Sequence, residues 1–114
     1  MVGIRTVLIG MSPIFNDIIK QSTAEHVVLD IVGEWETREA LEERLRAMAP
    51  ELILIGLADN EPETIGPMLQ ALASEAKVIA FSSDRRRAHV YKRRAHAGEI
   101  IDLSPASLIG AITG

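Results

Sequence analysis

Leu52-Ile53-Leu54-Ile55-Gly56 (LILIG) is the most hydrophobic stretch of the chain: four aliphatic residues in a row, closed at once by a glycine. A strand with one wet face alternates apolar and polar residues. An unbroken apolar run instead indicates a strand buried on both faces, as in a parallel sheet covered by helices. The signature recurs on either side. Thr6-Val7-Leu8-Ile9 ends at Gly10, and Val27 to Val32 (VVLDIV) is closed by Gly33. Val78-Ile79-Ala80-Phe81 runs into the polar loop Ser82-Ser83-Asp84, and Ile100-Ile101 supplies a short fifth run.

Segments of helical period lie between these runs. Ser12-Pro13 offers a capping hydroxyl and a first-turn proline ahead of Ile14, Phe15, Ile18 and Ile19. Thr37 is the expected cap of a second helix, whose stripe is Leu41, Leu45 and Met48 and whose end is marked by Pro50. Asp59-Asn60-Glu61-Pro62 carries the start signals of a third, with Ile65, Met68, Leu69, Leu72 and Ala73 as its apolar face. Arg85 to Ala95 reads as a fourth helix, with Ala88, Val90, Tyr91 and Ala95 inward and Gly98 beyond its end. Ser104-Pro105 opens a last helix carrying Leu108, Ile109 and Ile112. Five strand-helix pairs fill residues 1–114, which predicts a single α/β domain. Its expected architecture is a flavodoxin-like (βα)5 three-layer sandwich with a five-stranded parallel sheet in the order 2-1-3-4-5. Any ligand site in such a sheet lies beyond the carboxyl ends of the strands near the order switch, here the loops that begin at Gly10 and Gly56.

Composition narrows the function. A chain of 114 residues with 47% hydrophobic and 25% charged residues can bury a core and is not a disordered or low-complexity segment. The absence of cysteine excludes disulfides, thiolate zinc sites and a cysteine nucleophile, and suits the reducing cytoplasm, the expected location. Apolar runs such as 52–58 fall well short of the roughly 20 residues of a membrane span, and the N-terminus lacks the pattern of a signal peptide. The net charge of -4 gives no overall drive toward nucleic acid. That charge is unevenly spread. Six of the twelve basic residues, Arg85, Arg86, Arg87, Lys92, Arg93 and Arg94, lie within ten positions, joined by His89 and His96. Glu34, Glu36, Glu39, Glu42 and Glu43 form an acidic counterpart.

Five local stretches resemble the receiver domain of bacterial response regulators. Thr6 to Pro13 (TVLIGMSP) has the shape of that family's first strand and loop, where two acids follow the apolar run. Glu51 to Leu57 (ELILIGL), preceded by Ala49-Pro50, is similar to the third strand that ends in the phosphate-accepting aspartate. Val78 to Ser82 (VIAFS) resembles the fourth strand with its terminal hydroxyl residue. Ala97 to Asp102 (AGEIID) resembles the approach to strand five and the lysine after it, and Glu34 to Leu45 (EWETREALEERL) the charged second helix. The resemblance implies a signalling module, yet the residues that would carry its chemistry are replaced. Gly10 and Met11 stand where the magnesium-binding acids belong, Gly56 where the phospho-acceptor belongs, Asp102 in place of the lysine and Glu99 in place of the aromatic switch residue; only Ser82 remains. Metal-assisted aspartyl phosphorylation needs a carboxylate nucleophile, acids to place the ion and positive charge on the phosphoryl oxygens. The expectation is therefore a degenerate, non-enzymatic pseudo-receiver without cofactor or metal.

Other candidates have simpler readings. Asp59 is the carboxylate just past the third strand and could serve as a displaced phospho-acceptor, but it fits an N-cap cluster better. Asp17 should face solvent, and Asp84 should belong to a turn and helix cap. His26, His89 and His96 are too scattered, and two of them too close to cations, for a metal site. The basic stretch, Arg85, Arg86, Arg87, His89, Lys92, Arg93 and Arg94, is expected to dock a protein partner or a second copy, for which the acidic stretch is a complement. Overall acidity and scarce aromatics argue against nucleic acid. The alternative function is a small-ligand sensor using the Gly10 and Gly56 loops, with backbone approach to an anion.

Overall fold

In the computed structural model, which describes residues 3–113 other than 60, 62–64, 74, 93, 94 and 102, strand Ile4–Ile9 (β1) stands between two parallel neighbours, Leu29–Trp35 (β2) and Leu52–Gly56 (β3). Lys77–Phe81 (β4) continues the parallel set beyond β3. Ala88–Lys92 (β5) and Ala95–Ile100 (β6) complete a six-stranded sheet in the order β2-β1-β3-β4-β5-β6. The helices are Pro13–Thr23 (α1), Leu41–Met48 (α2), Ile65–Leu72 (α3) and Pro105–Thr113 (α4).

Successive strand side chains point to opposite faces, so each continuous apolar run feeds two cores. Val7, Ile9, Ile53, Ile55, Val78 and Ala80 pack with Leu41 and Leu45 of α2 and Leu69 of α3. Leu8, Leu54, Ile79 and Phe81 pack on the other face with Ile19 of α1 and Leu108 and Ile112 of α4. Two helical layers thus sandwich the sheet, and the parallel order expected for β2-β1-β3-β4 is the order found.

Local signals mostly act where expected. The Ser12 hydroxyl accepts from the Phe15 N–H at 3.2 Å, and Pro13 is the first residue of α1. Ile19 is buried and Phe15 packs against the core, but Ile14 and Ile18 are exposed. The Ser104 hydroxyl accepts from the Ser107 N–H at 3.2 Å at the start of α4. At the other end of α4, the Lys77 ammonium donates to the Ala111 and Ile112 carbonyls at 2.8 and 3.0 Å, placing a cation at the negative pole of the helix. Gly33 does not close the second strand. It lies inside β2 opposite Val7, next to an irregularity in which Val32 is skipped, and the Trp35 indole folds over it. Helix α2 begins after Ala40, which adopts a left-handed conformation (φ 55°), and not at Thr37.

The largest departure is the segment 85–101, where a helix and a parallel fifth strand were expected. The chain instead turns back on β4: β5 is antiparallel to β4, pairing Ala88 with Phe81 and Val90 with Ile79, and β6 is antiparallel to β5. Ile100 ends β6, and Ile101 is exposed. Ala88, Val90 and Tyr91 are buried, yet with period two: Ala88 and Val90 join the core under α1 and α4, and Tyr91 the core under α2 and α3. The basic residues mask a short strand of Val, Tyr and His, types that lose rotamer freedom in a helix and fit a pleated, half-buried surface.

Candidate functional site

The carboxyl ends of β1 and β3 are adjacent in the sheet; Gly10 follows β1 and Gly56 ends β3. Gly10 has φ 63°, a left-handed turn that suits glycine, and its N–H donates to the Trp35 carbonyl at 2.7 Å. A Cβ on Gly56 would lie 2.8 Å from the Gly10 carbonyl oxygen, so the two strand ends touch backbone to backbone. This is the switch point of the sheet, with β1 joined to β2 on one side and β3 to β4 on the other.

Two guanidinium groups cover it. Arg38 reaches in from the loop between β2 and α2. It donates from Nε to Glu61 Oε2 at 2.8 Å, from Nη2 to the other carboxylate oxygen and from Nη2 to the Gly56 carbonyl at 2.7 Å. Its Nη1 occupies the space a side chain on Gly10 would need. Arg85 reaches in from the β4–β5 loop, where its own backbone is left-handed (φ 60°). Its Nη1 donates to the Ser82 and Leu57 carbonyls at 2.7 and 3.1 Å, and its Nη2 lies 2.5 Å from where a Gly56 Cβ would stand. The Phe15 ring supports it, 5.7 Å from ring centre to Cζ. Both arginines thereby donate to backbone carbonyls at the carboxyl ends of β3 and β4.

Around them opens a cleft of about 420 Å³, lined by Gly10, Gly56, Arg38, Arg85, Thr37 and Glu61 among others. The Arg38 hydrogen bond is the main cause holding the Glu61 carboxyl below its ordinary value; burial opposes this and the Ala58 N–H, which donates at 3.1 Å, adds to it. Arg85 is pushed the other way for a cation, its pKa lowered first by burial and then by the charge of Arg38, although it stays protonated. Among the described residues no carboxylate comes within ion-pair distance of Arg85; the charges of Asp59 and Asp84 act on it from farther away.

The residues expected in a degenerate pocket are therefore only partly together. Gly10 and Gly56 floor the cleft. Met11 is buried in the core under α1 and α4. Ser82 knits the β4–β5 loop: its hydroxyl donates to Asp84 Oδ1 at 2.6 Å and accepts from the Arg87 N–H at 3.1 Å. Asp84, which also accepts from the Arg86 N–H at 2.9 Å, closes a turn between two strands and caps no helix. The Ser82 bond is the main cause that keeps its carboxyl below the ordinary range. Asp102 lies outside the described residues. Asp59 is exposed and forms a turn, with Asn60 and Pro62 of its expected cap cluster outside the described residues, and Asp17 is exposed on α1.

Of the basic stretch, Arg86, Arg87 and Lys92 are exposed, while His89 is half-buried with Nε2 3.9 Å from the Glu99 carboxylate. Arg93 and Arg94 lie outside the described residues. Arg85 stands apart from these: its side chain is half-buried and turns into the cleft. Arg38 was missed by sequence reasoning; its one signal is to be the sole cation between Glu34 and Glu43. Among the described residues no three His, Asp or Glu side chains group to hold a metal, and no helix is long and apolar enough to cross a membrane.

No protein-family model matches the sequence, and no curated protein matches it. Solved structures do. The fold is similar to the isolated REC domain of RcsB from Salmonella enterica serovar Typhimurium, determined with the phosphomimetic BeF3-, at TM-score 0.58 and 16% identity, covering 71% of this chain and 62% of that one. It is also similar to the signal receiver domain of NarL from Mycobacterium tuberculosis, at TM-score 0.53 and 17% identity over 73% of this chain and 68% of that one. The chain spans about three fifths of the length of the RcsB domain. The fold is of the response-regulator receiver type.

Proposed function

We propose that this chain is a cytoplasmic, non-catalytic signalling domain of receiver type that works through protein contacts and takes no phosphoryl group on aspartate. The observation that carries this is the pair of strand ends at Gly10 and Gly56, with the Arg38 and Arg85 guanidinium groups seated where carboxylates would have to project. Neither glycine offers a nucleophile or a ligand for a hard cation, and two fixed positive charges oppose a magnesium ion there. Incubation with acetyl phosphate and magnesium, followed at once by intact mass measurement, is expected to give no adduct under conditions that label an ordinary receiver. A stoichiometric adduct, on Asp59 or elsewhere, overturns the reading.

The contact half of the proposal is supported by where the charges sit. The acidic stretch lies at the β2 end of the sheet, with Glu34, Glu36, Glu39, Glu42 and Glu43 all exposed, and the basic Arg86, Arg87 and Lys92 belong to the hairpin at the opposite end. Opposite signs at opposite edges favour a head-to-tail contact between copies, which does not close on itself. Sedimentation is expected to show mass rising with concentration at low salt. The double variant Arg86→Glu, Lys92→Glu should weaken that association roughly tenfold or more while leaving thermal unfolding nearly unchanged. Association that is indifferent to both salt and the two substitutions counts against it.

A further inference from the structure

We propose that the cleft binds a small phosphoryl dianion, inorganic phosphate or a simple phosphate monoester, clasped between the guanidinium groups of Arg38 and Arg85. The inference does not rest on the contacts of the basic hairpin, and unlike aspartyl phosphorylation it leaves no covalent adduct. Arg38 spends Nε and Nη2 on Glu61 and the Gly56 carbonyl; its Nη1 stands over Gly10. Arg85 spends Nη1 on two carbonyls, and its Nη2 stands over Gly56. Donors of two cations with no protein acceptor among the described residues thus meet above two neighbouring strand ends.

The charge balance also points to an anion. Glu61 offsets Arg38, whereas Arg85 has no ion-pair partner among the described residues and is half-buried against a like charge. Holding two guanidinium groups together in a partly desolvated site is unfavourable unless a negative group joins them. A monocarboxylate is satisfied by a single guanidinium fork. A tetrahedral dianion presents oxygens in several directions and can bridge the remaining donors of two guanidinium groups, Nη1 of Arg38 and Nη2 of Arg85, that approach from different loops. Glycine at both strand ends keeps the floor open, since a side chain on either would fill the space the guanidinium nitrogens now hold. Thr37 lines the same space, and a cleft of about 420 Å³ leaves room for the organic part of a monoester.

The test is a nuclear magnetic resonance titration of the isotope-labelled chain with inorganic phosphate, and in parallel with glycerol phosphate, at constant ionic strength and slightly alkaline pH. Saturable shifts of the Gly10, Gly56, Leu57 and Ala58 amides are expected. Saturation at lower concentration with glycerol phosphate assigns the site to monoesters, and the reverse order assigns it to free phosphate. Arg85→Gln should weaken binding about tenfold or more, the loss of a charge-assisted pair of hydrogen bonds, and Arg38→Gln comparably. Shifts no larger than those from sodium chloride overturn the proposal, as does an Arg85→Gln variant that folds and binds like the parent. If that variant does not fold, the titration of the unmodified chain decides alone.

Discussion

Phe81→Ala is expected to lower the unfolding free energy by about 3–5 kcal/mol and to weaken the arginine cleft together with the core. Phe81 is fully buried at the last position of β4, beside Gly56 of β3 on one side and Ala88 of β5 on the other. Its ring meets Phe15 edge to face, with centroids 5.2 Å apart and planes at 83°. Such a pair adds about 0.5–1.5 kcal/mol to the burial itself. Phe15 is also the platform beneath the Arg85 guanidinium, so the cavity left at Phe81 frees the ring that positions a cleft cation. Urea unfolding followed by the fluorescence of Trp35, the single tryptophan, measures the stability. Leu54→Ala is the control. It empties a fully buried site in the same core cluster at about 2–5 kcal/mol, but leaves in place the Phe81 ring that meets Phe15 edge to face. If Phe81→Ala weakens phosphate binding no more than Leu54→Ala does, the support of Arg85 by Phe15 has no functional weight. A loss of stability below about 1 kcal/mol contradicts the packing itself.

The sheet's center was legible because its strands write burial on both faces directly into the sequence: Leu52 to Ile55 and Thr6 to Ile9 admit no other reading once Gly10 and Gly56 end them. The basic segment was not. Ala88, Val90 and Tyr91 are compatible with either period when only a few apolar residues are available, and the arginines that flank them raise helix propensity without saying which way the backbone runs. Pairing with β4 settled the matter through contacts remote in sequence, Phe81 with Ala88 and Ile79 with Val90, which no local window contains. The site was half legible for a related reason. Glycine at the strand ends is read directly from the sequence, whereas Arg38 and Arg85 come from loops, and the reach of a long flexible side chain into a neighbouring space leaves no spacing pattern behind. In the sequence Arg38 is one cation in an acidic stretch and Arg85 one of three consecutive arginines. Only the turn at Ser82 and Asp84, which sets Arg85 in its left-handed conformation, separates it from Arg86 and Arg87.

Gly56→Ala is expected to destabilise the chain by about 1–3 kcal/mol, and Gly56→Asp by less than Gly56→Ala, an inversion of the usual ranking in which a charged residue at a crowded position is the worse. The shared cost is steric. Any Cβ at Gly56 stands 2.8 Å from the Gly10 carbonyl oxygen, and that carbonyl cannot easily retreat. Its residue is fixed in a left-handed turn and anchored by the 2.7 Å bond from its N–H to Trp35. Arg85, 2.5 Å away, can yield because it meets the Cβ with the far end of a flexible side chain. The difference between the two variants is electrostatic. A carboxylate at this position enters the space between two guanidinium groups and supplies the negative charge that Arg85 lacks, returning on the order of 1 kcal/mol in this half-open site. The same carboxylate occupies the anion's place, so Gly56→Asp should abolish the amide shifts on phosphate addition. It should also remain unlabelled by acetyl phosphate and magnesium, because Gly10 and Met11 still provide no ligand for the ion. Urea unfolding of the two variants beside the parent decides the point. Gly56→Ala as stable as the parent means the strand ends do not touch, and Gly56→Asp less stable than Gly56→Ala means that the two guanidinium groups do not converge on this position.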